Sequence, residues 1–85
     1  MPRDLEIIFS PLSGEFTRDG MTVLVEIYRL SDGGSWALEV MFHGNNTTLW
    51  NQKFPTDQAA FKSFMRIVEA AGLQVFSRCE KLTLH

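Results

Sequence analysis

The hydrophobic pattern of this chain changes its period once, at Phe54-Pro55-Thr56. From Phe9 to Phe54, apolar stretches alternate with turn chemistry at Asp19-Gly20, Asp32-Gly33-Gly34 and Gly44-Asn45-Asn46. Beyond Thr56 the apolar residues recur about every three and a half positions, until Gly72 ends the run. Alternation with a period of two marks strands, and the longer period marks a helix. The order predicts an α+β domain. It is an antiparallel meander of four strands, or five if Leu5 to Ser10 forms its own, followed by one helix on one face (ββββα). A single helix covers a single face, so the opposite face becomes the main functional question.

The chain has 85 residues. That is enough for one domain with a thin core, because small domains bury a lower fraction of their surface. We read residues 1–85 as that single domain, with its core over 5–72 and residues 73–85 as a C-terminal extension left unplaced. Hydrophobic residues at 45% and charged residues at 21% fit a folded chain and argue against disorder. The net charge is −2, and the basic residues are spread along the chain. Nucleic-acid modules usually gather such residues into a stripe. Cys79 is alone, so one chain has neither an internal disulfide nor a cysteine-based zinc site. The Met-Pro-Arg-Asp start lacks an apolar signal core, and no segment reaches membrane-span length. The expectation is a cytoplasmic protein without a membrane partner.

Register decides which side chains share a face. Asp19-Gly20 is a strong two-residue hairpin signal. It sets Arg18 opposite Met21, Phe16 opposite Val23, Gly14 opposite Val25 and Leu12 opposite Ile27. The next turn, with Leu30 opposite Ser35, sets Ile27 against Leu38 and Val25 against Val40. A three-residue loop, Gly44-Asn45-Asn46, pairs Val40 with Trp50 and Trp36 with Phe54. It is preferred because it keeps both large aromatics on the core face. Pro11 cannot donate to a ladder, so a bulge near Pro11 to Gly14 or a separate short edge strand is expected there.

The helix should begin at Thr56 or Asp57, both good caps. Ala60, Phe61, Phe64, Ile67, Val68 and Ala71 form its apolar stripe. That stripe should cover Phe16, Val23, Val25, Ile27, Trp36, Leu38, Val40, Trp50 and Phe54. On this reading Phe64→Asp or Trp36→Asp unfolds the domain.

The opposite face carries Glu15, Thr17, Thr22, Leu24, Glu26, Tyr28, Ala37, Glu39, Met41, Leu49, Asn51 and Lys53. Leu24, Met41 and Leu49 fall into one cross-strand row, with Tyr28 and Ala37 nearby. A contiguous apolar patch points to a partner, whereas scattered hydrophobics do not. Leu24, Tyr28, Met41 and Leu49 are therefore the candidate interaction face, with a homodimer as the favoured partner and an unidentified second protein as another. Cover by Leu73 to Phe76 and by the tail with Leu82 and Leu84 is the competing explanation, and the tail can also swap onto a neighbour.

No residue group carries a specific catalytic, cofactor or metal signature. Glu26 and Glu39 are cross-strand neighbours and could act as acid and base, but a wet face with Lys53 one diagonal step away favours solvated charges. His43 sits at a turn with no second ligand near it, and His85 is terminal. Thr56-Asp57 is explained by capping, and Gly33-Gly34 lacks the spacing of a phosphate loop.

Trp36-Ala37-Leu38-Glu39-Val40, Trp50, Phe54-Pro55-Thr56-Asp57-Gln58-Ala59-Ala60 and Glu69-Ala70-Ala71-Gly72 resemble a family of small uncharacterised bacterial proteins. The resemblance runs from about Leu12 to Gly72. It implies the strand-and-helix fold and transfers no activity. The order of elements is also similar to dimeric single-stranded-DNA-binding domains of the positive-cofactor-4 type, which is a likeness of architecture alone. The functional expectation is a non-enzymatic, self-associating protein-interaction domain. The alternative is single-stranded nucleic-acid binding on the sheet with Tyr28 as a stacking platform.

Overall fold

The computed structural model describes residues 6–42, 46–77 and 81–84, with side chains over 6–42 and 46–76. Six strands form one sheet: β1 (Ile7–Phe9), β2 (Gly14–Arg18), β3 (Met21–Leu30), β4 (Gly33–Phe42), β5 (Asn46–Trp50) and β6 (Lys81–Leu84). Helix α1 spans Asp57–Ala71, and a short 3-10 helix spans Leu73–Ser77. The strand order is β1-β3-β4-β5-β6, with β2 also paired to β3. Strands β1 to β5 form an antiparallel sheet followed by one helix, as the change of period predicts, and β6 joins the sheet after the helix.

The first hairpin has the expected register, with Phe16 opposite Val23 and Arg18 opposite Met21. Asp19 and Gly20 both take positive φ, 55° and 78°. That is the geometry a two-residue turn needs to match strand twist. In the second hairpin, Val25 lies opposite Val40 and Ile27 opposite Leu38, again as expected. At its tip, however, Leu30 pairs with Gly33 and not with Ser35, and the register shifts between Tyr28 and Leu30. Gly33 and Gly34, at φ 95° and 98°, let β4 bulge where a side chain would resist.

The third hairpin corrects another expectation. Val40 pairs with Thr48, not with Trp50, and Phe42 pairs with Asn46. Trp36 still bridges to Phe54 through two backbone hydrogen bonds of 2.8 and 2.9 Å. Two extra residues therefore bulge out between Leu49 and Phe54. An error of two residues leaves faces unchanged, so Trp50 still turns inward and is buried.

Along the edge, β1 and β2 share one flank of β3. Ile7 lies opposite Leu30 and Phe9 opposite Tyr28, while Ser10 to Ser13 loops out between them. Leu12 is consequently exposed and does not oppose Ile27. Ser13 fills the gap in the ladder. Its Oγ accepts from the Ile27 N–H at 3.0 Å and donates to the Ile27 carbonyl at 3.1 Å. Ser10 Oγ donates to Asp57 Oδ2 at 2.7 Å, tying this bulge to the start of α1. Ser13→Ala is expected to cost about 1–3 kcal/mol, because it strands a donor beside a fully buried side chain. Urea denaturation measures it, and a loss below about 0.5 kcal/mol would mean the bulge rearranges to satisfy Ile27.

Thr56 caps α1 by accepting from Ala59 N–H at 3.0 Å. Ala60, Phe64 and Val68 are buried against the sheet, with Phe61 and Ile67 half-buried beside them. Ala71 is exposed and leaves the stripe. Phe64 touches Phe16, Phe61 and Phe76, with ring centres 5.2, 5.8 and 5.8 Å away. Trp36 lies only half-buried, with the Arg29 guanidinium 5.2 Å from its ring centre. Trp36→Asp should therefore weaken the fold less than a change at Phe64.

The segment after α1 corrects the reading most. Leu73 and Phe76 are buried in the core on the helix side, and Phe76 meets Trp50 at 6.2 Å. They do not cover the opposite face. β6 pairs in parallel with β5 of the same chain, Thr48 beside Leu82 and Trp50 beside Leu84. A parallel neighbour needs a long crossover, and α1 with the 3-10 helix supplies it. The described part of the tail extends its own chain's sheet beside β5.

Candidate functional site

The uncovered face of the sheet is built in cross-strand rows. One row is Leu24 opposite Met41, with Thr47 beyond it. The next is Glu26 opposite Glu39, with Leu49 beyond. The third is Phe9, Tyr28 and Ala37, and the Trp36–Phe54 bridge brings Lys53 next to Ala37. The last is Ile7 opposite Leu30. Leu49 thus leaves the row of Leu24 and Met41 and joins Glu39, because of the two-residue shift in β5. Leu24, Tyr28, Met41 and Leu49 all lie on this face and are half-buried.

The strongest apolar exposure lies elsewhere on the same face. Ile7 is 55% exposed, Phe9 52% and Leu30 44%. They are contiguous, since Ile7 pairs with Leu30 and Phe9 with Tyr28, the two rings tilted at 57° with centres 5.7 Å apart. A groove of about 290 Å³ runs beside them, its lining including Ile7, Tyr28, Leu30 and Ala37 and two cationic residues, Arg29 and Lys53. Sequence reasoning missed Ile7, Phe9 and Leu30. Leu5 to Ser10 is rich in strand formers, but Ile7-Ile8-Phe9 is apolar throughout, so no alternation assigns these residues to a face, and Pro11 interrupts the ladder that would fix their parity.

A polar centre sits inside this apolar frame. The Tyr28 hydroxyl donates to Glu39 Oε1 at 3.2 Å. Partial burial raises the Glu26 carboxyl above its ordinary value, and the facing charge of Glu39 adds to the shift. Burial, the charge of Glu39 and the hydrogen bond to it raise the Tyr28 phenol, with Glu26 adding a smaller push. A raised carboxyl stabilises the fold below the ordinary glutamate range and loses that contribution as pH rises through its folded value. Glu26→Gln should therefore stabilise the domain at pH 7, by less than about 1 kcal/mol because the site is wet. The gain should vanish below pH 4, as paired urea titrations would show. An equal gain at both pH values would mean the ionised carboxyl carries no strain.

Among the described residues no group of three or more His, Cys, Asp or Glu side chains is placed to hold a metal ion. His43, Cys79 and His85 lie outside the described residues. Thr56 acts as a cap, and Gly33-Gly34 as a bulge, rather than as ligand groups. No described helix is long and apolar enough to cross a membrane. Comparison with protein-family models, with curated proteins and with solved structures finds no match. Of the residues carrying the expected resemblance, Leu38, Val40, Trp50, Phe54 and Ala60 are buried and Thr56 caps α1, whereas Gln58, Glu69, Ala70 and Ala71 are exposed.

Proposed function

We propose that this chain is a non-enzymatic protein-interaction domain that self-associates through the uncovered face of its sheet. One observation carries the reading: Ile7, Phe9 and Leu30 form a contiguous, half-exposed apolar patch. Soluble domains rarely leave such a patch open unless something binds it. The edges of the sheet are poorer sites. β1 and β2 are interrupted by a bulge containing Pro11, and β6 has four residues. Broken and short edges are how proteins discourage strand addition. That leaves the face as the surface a partner would use.

The nucleic-acid alternative draws support from the half-exposed Phe9 ring beside Tyr28, two aromatic rings on the open face. Glu26 and Glu39 in the adjacent row repel phosphate, which favours a protein partner. Sedimentation velocity over a wide concentration range tests the proposal. A reversible monomer–dimer equilibrium is expected. A monomer at every concentration, or tight salt-dependent binding of a single-stranded oligonucleotide, would overturn it.

A further inference from the structure

We infer that the partner is a second copy of this chain, docked face to face about a two-fold axis that sets Lys53 of each copy against the Glu26–Glu39 pair of the other. This rests on the proposed self-association and names its geometry. Glu26 and Glu39 face each other directly across β3 and β4. Within one chain, the nearest hydrogen bond to this pair is the Tyr28 hydroxyl on Glu39, which supplies no positive charge. Among the described residues no lysine or arginine forms a salt bridge with either carboxylate, and partial burial, with the facing charge of Glu39 second, raises the Glu26 carboxyl.

Lys53 supplies the missing sign. It lines the groove beside Tyr28 and Ala37, one row away from the carboxylates, and its residue is exposed. A two-fold interface is self-complementary: if residue i of one copy meets residue j, then j meets i. An axis running across the strands, between the Tyr28–Ala37 row and the Glu26–Glu39 row, exchanges the two rows. It brings each Lys53 over the Leu49 end of the row holding the partner copy's carboxylates, one strand away from Glu39. Neighbouring strands are about 4.8 Å apart, within the reach of a lysine side chain. The same rotation keeps the exposed Phe9, Ile7 and Leu30 at the flank of the interface, where they close over the copy opposite. An axis parallel to the strands would leave the Glu26–Glu39 rows facing each other, with like charges juxtaposed. The charge pattern therefore selects one axis from the two simplest.

Charge-reversed variants test this. Lys53→Glu alone and the double variant Glu26→Lys/Glu39→Lys alone should each weaken the homodimer at least about tenfold. Mixed one to one, they should form a heterodimer close to wild-type affinity, read by sedimentation of one labelled variant. If the double variant folds poorly, Glu39→Lys with Lys53→Glu gives the same readout. Wild-type dimers with no preference for the mixed pair would overturn the docking geometry and leave self-association standing. A wild-type chain that stays monomeric would overturn both.

Discussion

Phe64→Ala is expected to destabilise the domain by about 3–5 kcal/mol, the range for truncating a buried phenylalanine. Phe64 is fully buried and is the meeting point of β2, α1 and the 3-10 helix, through Phe16, Phe61 and Phe76. A domain of this size has roughly 5–10 kcal/mol of net stability, so the variant should lose about a third or more of it and unfold at a markedly lower urea concentration. Phe64→Asp should unfold it outright, because a carboxylate there has no partner. Circular dichroism with urea denaturation gives the answer. A loss below about 1 kcal/mol would mean that the rings around Phe64 collapse into the space, and that the core is less specific than the contacts indicate.

The second large effect is on association. Leu30→Glu should leave the monomer stable, since Leu30 is 44% exposed and contributes little to the core. It places a charge in the centre of the Ile7–Leu30 apolar pair. In a two-fold dimer every substitution acts twice. If each site costs about 2 kcal/mol, as a hot-spot position does, the dimer weakens roughly a thousandfold. Met41→Glu, on the opposite side of the carboxylate rows, should act in the same direction with a smaller effect. An unchanged dimer in Leu30→Glu would place the interface away from the face.

The antiparallel hairpins and their faces were legible because faces repeat every two residues. The third hairpin slipped by two, yet Trp50 stayed inside and Leu49 stayed outside. The second hairpin slips at the Gly33-Gly34 bulge, while the third is offset from its first pair, Phe42 with Asn46, and a bulge after Leu49 restores the Trp36–Phe54 pairing, a choice local alternation does not record. β6 was illegible for a related reason. Its pairing is parallel and reaches back across α1 to β5, so no turn signal marks it. Leu73 and Phe76 were seen as apolar but left unplaced, with cover of the open face only a competing explanation, because a 3-10 turn after Gly72 has no amphipathic run long enough to give a direction.

The candidate face divides in the same way. Leu24, Tyr28, Met41 and Leu49 could be placed because each lies within a hairpin with its own turn signal. Ile7 and Phe9 could not, because the Ser10 to Ser13 bulge uncouples their parity from that of β2. The residues that the sequence left unassigned turned out to be the most exposed apolar part of the site.

Methyl-resolved NMR over a dilution series tests the central claim most directly. The account predicts concentration-dependent shifts at the methyls of Ile7, Leu24, Leu30, Met41 and Leu49, with Leu38 and Val40 on the helix side unmoved. Shifts confined to the helix side, or a spectrum that does not change on dilution, would contradict it.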